Sequence, residues 1–236
     1  MDKISVIIPA YNAGKYIKEA ITSVLEQTYR GDYEIIVVNN GSTDDTLSVV
    51  EELAGEHPCI RLFSKPFGCA STSRNLALQK ASGDLIFFHD ADDVLEPEAL
   101  SLLYEKLCET GADCVTALAR DFRSPELVAA GVMPAAAPGP AYKGALTGCA
   151  LFRRAAADAV GGFDESLSSG ETVDWMLRFQ DKGFPTESID AVTKNRRIHL
   201  TNTTQIFKVN YADALRKRMK ARTGARTGRT EDPPGG

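Results

Sequence analysis

The chain has 236 residues, of which 43% are hydrophobic and 25% are charged. This composition is typical of globular proteins with a core large enough for independent stability, and it excludes the disordered and fibrous classes. The length fits one sizeable α/β domain or two small ones, and the formal net charge of −5 gives no reason to expect nucleic-acid binding.

Four short apolar runs alternate with helical patterns in the first part of the chain. The predicted strands are Ile4 to Ile8, Tyr33 to Val38, Ile60 to Phe63 and Asp84 to Phe88. The predicted helices run from Tyr16 to Leu25, from an N-cap at Thr43 to about Leu53, and from Ser71 or Thr72 to Ala81. Such alternation is typical of a parallel sheet with helices on both faces. The carboxyl ends of the strands then share one edge, where α/β sheets bind ligands.

The fourth predicted strand ends in three carboxylates within four residues, Asp90, Asp92 and Asp93. Burying so much negative charge without a partner would be costly. Residues two apart in a strand face the same side, so Asp90 and Asp92 could both reach one metal ion. The alternative is a polar strand-to-helix loop, followed by a helix that Pro97 opens. The Asp-x-Asp pattern by itself does not choose between the two.

The second half of the chain has a mixed pattern. It contains predicted helices at Pro97 to Thr110, Arg153 to Val160 and Val173 to Lys182, and predicted strands at Cys114 to Leu118, Ala145 to Phe152, Thr186 to Ile189 and around Val192 to Ile198. The signal weakens between Arg120 and Tyr142, where a Pro/Ala/Gly-rich run at 134–140 excludes regular structure. Two interpretations stay open for this run, a mobile loop over the site or a surface loop without a role.

The cysteines and the two ends of the chain bear on its location. Five cysteines, an odd number without a Cys-x-x-Cys pair, argue against a disulfide framework or a structural zinc site, so a reducing compartment fits best. Met1-Asp2-Lys3 leads straight into an apolar run and no stretch has the length of a membrane span, which predicts a cytoplasmic protein. From Tyr211 to Gly236 there are seven Arg or Lys against three Asp or Glu. We expect a partly disordered tail, with at most peripheral contact to anionic lipid or simply a solvated helix end.

Six motifs follow one another along the chain. They are Val6 to Asn12, Ile36 to Asp44, Ser73 to Asn75, Asp90 to Asp93, Val160 to Glu165 and Glu171 to Asp174. In this order and spacing they resemble the family 2 glycosyltransferases of GT-A fold, over roughly residues 3 to 205. The resemblance implies a single GT-A domain at 1–205, with a Rossmann-like, mostly parallel sheet and a smaller mixed acceptor-side region. Its nucleotide-sugar half would be 1–93 and its acceptor half 94–205, followed by the basic tail at 206–236.

The resemblance implies transfer of a sugar, with inversion, from a nucleoside diphosphate sugar to an acceptor. The acceptor is not readable from the sequence and could be a saccharide, a lipid-linked molecule, a peptide or a small molecule. Asp90 and Asp92 match the family's metal-binding pair, and hard oxygen ligands suit Mn²⁺ or Mg²⁺. His199 matches a position that can supply a further metal or diphosphate ligand, although a lone histidine is often structural.

The resemblance also indicates which residues contact the donor. The nucleotide-sugar-binding set would be Pro9, Ala10, Tyr11, Asn12, Asn40, Ser42, Arg74, Asp90 and Ala91. Asn40 stands where the family usually has an aspartate that accepts a hydrogen bond from a pyrimidine base. An asparagine carbonyl can still accept from uracil N3–H while its NH₂ group donates to O4. A uracil or thymine base is therefore expected.

The position of the family's catalytic base differs in this chain. The family has a Glu-Asp pair there, and the aspartate position is occupied by Thr172, whose hydroxyl cannot act as a general base near neutral pH. General base catalysis is typically worth ~10²–10⁴ in rate. Three explanations stay open: Glu171 or Asp174 serves instead, the acceptor needs no strong base, or the protein is a weakly active or non-catalytic nucleotide-sugar-binding homologue. A nucleotidyltransferase is disfavoured, because the first strand lacks a Gly-rich basic triphosphate loop.

Overall fold

A computed structural model describes residues 1–129, 138–143, 147–167, 169–200 and 202. The first half contains β1 (Ile4–Ala10), α1 (Ile17–Leu25), β2 (Tyr33–Asn39), α2 (Thr46–Glu56), β3 (Ile60–Ser64), α3 (Ala70–Lys80) and β4 (Leu85–Phe88). The second half contains β5 (Val94–Leu95), α4 (Ala99–Thr110), β6 (Cys114–Arg123), α5 (Pro125–Ala129), β7 (Tyr142–Lys143), β8 (Ala150–Arg153), α6 (Arg154–Val160), α7 (Glu171–Asp181) and β9 (Thr186–Ile198).

All of these strands belong to one sheet, whose order is β3-β2-β1-β4-β8-β6-β9-β5, with β7 paired to β6. The strands β1 to β4 are mutually parallel. Beyond β4 the sheet is mixed, because β8 runs antiparallel to both of its neighbours and β9 runs parallel to β6. The predicted α/β architecture, a mostly parallel sheet with a smaller mixed region, is confirmed.

The core lies on both faces of the sheet, since alternate strand residues point to opposite sides. In β1, Val6 and Ile8 pack on the face covered by α1, α2 and α4. Ile7 packs on the other face with residues of α3, α6 and α7, among them the fully buried Trp175. A strand covered on both faces is mostly apolar, which explains the continuous hydrophobic runs at 6–8 in β1 and 35–38 in β2.

β1 continues two residues past the predicted end, through Pro9 to Ala10. Its pairing with β4 stops at Ile7, while its pairing with β2 extends to Ala10. The carbonyl of Ile7 accepts from His89 on the β4 side, and Pro9 presents its nitrogen to that same side two residues later. β4 has already ended there, so the absent N–H of the proline breaks no ladder hydrogen bond.

Several predicted boundaries in the chain were wrong. α2 begins at Thr46 rather than after Thr43, because Asp44 Oδ1 accepts a hydrogen bond from Thr46 N at 3.0 Å and delays the first turn. The strand predicted at 145–152 begins only at Ala150, after a 3-10 turn at Thr147–Cys149. The two strands predicted near the end are the single strand β9, which has an irregular register against β6 near Leu118.

The weak-signal segment is more ordered than predicted. β6 extends to Arg123, and the short helix α5, whose Leu127 is buried, follows at once. Residues 130–137, which include most of the Pro/Ala/Gly-rich run at 134–140, lie outside the described residues, as does the basic tail at 206–236. No helix in the described part of the chain is long and apolar enough to cross a bilayer.

Candidate functional site

The predicted site residues collect at the carboxyl edge of the parallel strands. Pro9 and Ala10 end β1, and Tyr11 and Asn12 follow them. Asn12 N donates to Ser42 Oγ at 3.0 Å, and Thr43 N donates to Asn12 Oδ1 at 2.9 Å, so the loops after β1 and β2 are bound to each other. Asn12 has φ 47°, in the left-handed region that asparagine tolerates.

Arg74, buried in α3, joins the carboxylate after β4 to the helix that carries the candidate base. Its Nη2 lies 3.2 Å from Asp90 Oδ1, and its Nη1 lies 2.8 Å from Glu171 Oε1. The guanidinium also lies over the ring of Phe163, 5.6 Å from the centroid. Asp90, Arg74 and Glu171 therefore form one continuous charged chain across the site.

Lys194 of β9 is the second cation at Asp90, and its side chain is only 1% exposed. Its Nζ lies 2.7 Å from Asp90 Oδ2 and 2.6 Å from Asp93 Oδ2. Burial alone would lower the pKa of Lys194, but the two carboxylates raise it well above its ordinary value. Burial alone would raise the pKa of Asp90, yet Lys194 and Arg74 hold it well below its usual range. Both groups therefore stay charged.

Asp93 is the most deeply buried of the three carboxylates, with a side chain 4% exposed. Burial, together with the nearby charges of Asp92 and Asp90, raises the pKa of Asp93 to about 7. The charge of Lys194 lowers this pKa but does not offset the effect of burial. Asp93 Oδ1 accepts from Arg197 N at 2.9 Å. These contacts make Asp93 a link between the acidic loop and β9, rather than a ligand for something in solvent.

Asp92 faces the other end of β9. Its Oδ2 lies 2.9 Å from His199 Nε2, and Asn202 Nδ2 lies 3.5 Å from the same oxygen. Arg197 Nε donates to the carbonyl of Asp92 at 2.9 Å, which fixes the backbone of the acidic loop. The ring of Tyr16 packs on His199 with centroids 4.6 Å apart. Asp92 and His199, 107 positions apart in sequence, are thus direct neighbours.

The carboxylates keep access to solvent where metal binding was predicted. The side chain of Asp90 is 43% exposed and that of Asp92 is 30% exposed. Carboxylate oxygens and one imidazole nitrogen are a donor set that Mn²⁺ and Mg²⁺ accept. Within the described ranges, no group of three His, Cys, Asp or Glu side chains converges closely enough to form a complete metal cluster.

The three candidate base residues are all in the first turns of α7, which begins at Glu171 after Gly170 in the left-handed conformation. Glu171 contacts Arg74, as described above, and so belongs to the site. Asp174 is buried and bound to Arg178, with its Oδ2 2.8 Å from Nε. Arg178 also donates to the carbonyls of Val160 and Gly162. Asp174 therefore serves to hold α7 on the preceding loop.

Asn40, the predicted reader of the base, is bound to the loop between β3 and α3. Its Oδ1 accepts from Lys65 Nζ at 2.8 Å and from Gly68 N at 3.1 Å. Its Nδ2 donates to the carbonyl of Gly68 at 2.7 Å. A carbonyl oxygen has two lone pairs, and here both are used by this loop. The loop therefore occupies the carbonyl of Asn40 in this structure, and the role of Asn40 in base recognition stays a prediction.

Sequence reasoning missed Lys194 and Arg197. Both lie in β9, and three basic residues, Lys194, Arg196 and Arg197, occur there within four consecutive positions of a predicted strand. Cations inside a buried strand need acidic partners. The acidic loop after β4 carries three carboxylates within four residues, for which the sequence analysis named no cationic partner. The basic residues of the predicted strand could therefore have been predicted as partners of this loop. His89 is fully buried, and burial lowers its pKa to about 4, which makes it a neutral packing residue.

Comparisons with known proteins identify the family and the fold of this chain. Residues 5–133 match Glycosyl transferase family 2. Over 205 residues the chain is 32% identical to the chondroitin synthase of Pasteurella multocida (strain Pm70), a match that covers 85% of this chain and 21% of that protein. The chain thus spans about a fifth of the length of this relative.

Two solved structures have the same fold. S. aureus TarS 1-349 in complex with UDP-GlcNAc superposes with a TM-score of 0.69 at 23% identity, covering 86% of this chain and 60% of that one. The mannosyltransferase PcManGT from Pyrobaculum calidifontis, in complex with GDP-Man and Mn²⁺, superposes with a TM-score of 0.67 at 20% identity, covering 99% of this chain and 66% of that one. At these identities the likeness shows the fold, which is GT-A.

Proposed function

Because the chain belongs to glycosyl transferase family 2, we propose that it transfers a sugar from a nucleoside diphosphate sugar to an acceptor, with inversion and with help from a divalent metal. The observation that carries the proposal is the presence of two partly exposed carboxylates, Asp90 and Asp92, at the ligand-binding edge of the sheet. Two proteins with this fold, which were solved in complex with UDP-GlcNAc and with GDP-Man, support the same substrate class.

The residues present fit a divalent cation. Asp90, Asp92 and His199 would hold it, because carboxylate oxygens and an imidazole nitrogen suit Mn²⁺ or Mg²⁺. The metal, when bound, would neutralise charge that develops on the departing diphosphate. Arg74 is placed to add a second positive charge next to Asp90, and Arg197 keeps the loop that carries the ligands in position.

For proton removal from the acceptor we assign Glu171. Its carboxylate is linked through Arg74 to Asp90, which supports a location close to the donor phosphates. Asp174 is disfavoured because Arg178 binds it in a buried ion pair. Thr172 lies between them in α7 and can orient an acceptor by a hydrogen bond, although it cannot take the proton. The acceptor class, whether saccharide, lipid-linked, peptide or small molecule, is open to measurement.

A second candidate is a non-catalytic or weakly active nucleotide-sugar-binding homologue. Thr172 in place of the family's aspartate favours it, and so does the ion pair that occupies Glu171. Turnover of the donor, measured with extracts that contain a broad range of acceptors, distinguishes the two candidate functions. Consumption above the level of a Glu171→Gln variant supports the transferase, and binding without turnover supports the homologue.

Metal-dependent donor binding is the direct test. Calorimetry of UDP and GDP with Mn²⁺ and with EDTA should show tighter binding with the metal, and Asp92→Ala should reduce the affinity to the value measured in EDTA. Thermal unfolding checks that the variant is folded. Nucleotide affinity that is the same with Mn²⁺ and with EDTA would refute the proposal. The predicted preference for a uracil or thymine base is read from the same titrations.

A further inference from the structure

The imidazole of His199 needs contacts beyond its own backbone in order to face Asp92. The backbone at this position is held by Asn202, whose Oδ1 accepts from His199 N at 2.6 Å. The χ2 torsion of a histidine has only a broad preference, so a fixed backbone leaves the plane of the ring open. The ring is 5% exposed and its Nε2 lies 2.9 Å from Asp92 Oδ2. Its orientation therefore depends on the side chains that pack around it.

Tyr16 supplies an aromatic surface for that ring. The centroids of the two rings are 4.6 Å apart and their planes are tilted by 41°, which is within the range of attractive aromatic pairs. The guanidinium of Arg197 also lies over the ring of Tyr16, 5.0 Å from its centroid. Arg197 in turn holds the carbonyl of Asp92, as described above. Tyr16 therefore contacts both the proposed metal ligand His199 and the residue that fixes the acidic loop.

The hydroxyl of Tyr16 connects this aromatic contact to a third part of the chain. It donates to Glu126 Oε1 in the short helix α5. The residue before α5, Ser124, donates from its backbone N to the carbonyl of Ile198 at 3.0 Å, so α5 starts next to the end of β9. The buried side chain of Leu127 anchors α5 to the domain. Glu126 is thus linked to the imidazole of His199 through a single intervening side chain.

We infer that Tyr16 is a positioning residue for the divalent metal: its ring holds the imidazole of His199 towards Asp92, and its hydroxyl couples that imidazole to Glu126 of α5. This inference rests on the proposed function, and it names what sets the metal affinity of the proposed site. Tyr16 acts only through His199 and takes no part in the chemistry. Contacts that orient a metal-binding ring are typically worth ~10- to 100-fold in metal affinity.

The plainer interpretation is that Tyr16 only packs the start of α1 against the end of β9. The two interpretations differ in what happens when the imidazole is absent. A packing residue changes the stability of the fold, and any effect of its loss on the acidic loop would be the same with and without the ring of His199. A residue that positions the imidazole has no effect on metal affinity once the imidazole has been removed.

The first test measures Mn²⁺ affinity without turnover. Electron paramagnetic resonance follows free Mn²⁺ during titration of the protein in the presence of UDP, with a protein-free titration subtracted. Tyr16→Leu should weaken Mn²⁺ binding by ~10- to 100-fold, and Tyr16→Phe, which keeps the ring, should weaken it less. In a His199→Ala background, Tyr16→Leu should cause no further loss. A loss of the same size in both backgrounds would overturn the positioning role.

The second test concerns the link to α5. Tyr16→Phe and Glu126→Ala each remove one partner of the same hydrogen bond, so they should weaken Mn²⁺ binding to the same extent. The double variant should lose no more than either single variant, because the two residues act as a pair. Additive losses, or wild-type affinity in both single variants, would refute the coupling to Glu126.

Tyr29→Phe is the matched control. It also removes a tyrosine hydrogen bond, from Tyr29 Oη to the carbonyl of Asp2 at 2.5 Å, but this bond lies near the amino end of β1. The variant should bind Mn²⁺ with the affinity of the wild type. Thermal unfolding of every variant checks that it is folded.

The outcomes separate this inference from the proposed function. If the wild type takes up Mn²⁺ with UDP and Tyr16→Leu binds the metal equally tightly, the positioning role is overturned while the proposed function stands. If the wild type takes up no more Mn²⁺ than a protein-free solution of UDP, the proposed metal-assisted function is overturned, and the inference falls with it.

Discussion

Two groups of buried carboxylate contacts lie at opposite edges of the parallel strands. At the amino edge, Glu34 Oε1 accepts from Ser5 Oγ at 2.8 Å and from Ser82 N at 2.6 Å, and Oε2 lies 2.5 Å from Arg61 Nη1. The side chain of Glu34 is 4% exposed, so it has no access to a ligand. At the carboxyl edge, Asp90 is also ion-paired and Asp92 contacts His199, but both carboxylates stay partly exposed.

The partners of the two groups also differ in origin. Glu34 is satisfied by residues of its own half of the domain, and it is a structural anchor. The acidic loop after β4 takes one partner, Arg74, from its own half, and others from β9, more than 100 positions later in the chain: the Lys194 ammonium and the main-chain N–H of Arg197. A carboxylate that is paired across two halves and still accessible can exchange a protein partner for a ligand. A buried carboxylate whose hydrogen-bond partners are all supplied by the protein indicates a role in stability. A partly exposed carboxylate with partners far away in the sequence indicates a role in function.

The largest expected effect is on chemistry. Glu171→Gln should lower donor turnover by ~10²–10⁴, the usual contribution of a general base, while it preserves the contact with Arg74. Asp174→Asn is the control. The carboxylate of Asp174 is bound to Arg178, so this variant should leave turnover largely intact. Rates are measured as release of nucleoside diphosphate under saturating Mn²⁺. Equal loss in both variants would contradict the assignment of Glu171.

The next effect is on stability. Lys194→Met leaves Asp93 buried without its cation and should lower the free energy of unfolding by about 3–5 kcal/mol, as for other broken buried ion pairs. The double variant Lys194→Met/Asp93→Asn should recover part of this loss, since a neutral amide needs no cation. Denaturant unfolding of the two variants measures the difference. A double variant less stable than the single one would show that Lys194 does not act through Asp93.

The buried contacts of Glu34 at the amino edge predict that the stability of the fold depends on pH. Burial acts against ionisation of Glu34, but hydrogen bonds from Arg61, Ser82 and Ser5 outweigh it and lower its pKa from 4.5 to about 2. The carboxylate should therefore contribute about 3 kcal/mol of stability above pH 4.5, lost progressively as the pH falls towards 2.

Glu34→Gln removes the titrating group at this position. Unfolding of the wild type and of this variant between pH 2 and 6 compares the two slopes, with roughly 1.4 kcal/mol per pH unit expected for one proton. The variant should lack the part of the slope that Glu34 supplies. Slopes that are the same in both proteins would mean that Glu34 has the same pKa in the folded and unfolded states.

The smallest effect is expected from Thr172→Asp. A carboxylate beside Glu171 should change donor turnover by less than ~10-fold, because a base is already present. For an alcohol acceptor, or for water alone, the rate should rise. For an acceptor that is already ionised, charge repulsion should lower it. If the wild type and Thr172→Asp consume donor at identical rates, both with and without acceptor, Thr172 lies away from the reacting centre.

The sequence by itself determined the fold and the position of the acidic loop. Apolar runs and helical spacing are local patterns, so β1 to β4, α1 and α3 could be read within a few residues. The parallel alternation then required that Asp90, Tyr11 and Asn40 share one edge of the sheet. The motifs around these residues were sufficient to predict the family, which the comparison with known proteins confirmed.

Only the tertiary structure decided which residues pair with the acidic loop and where Asn40 points. Lys194 meets Asp90 across 104 positions because β5, which directly follows the acidic loop, pairs with β9. A two-residue strand such as β5 carries no detectable periodicity, so this register is invisible in the sequence. The direction of the Asn40 amide likewise depends on the backbone of a distant loop. Local patterns determine elements, whereas ion pairs and hydrogen bonds depend on the register between elements that are far apart in the chain.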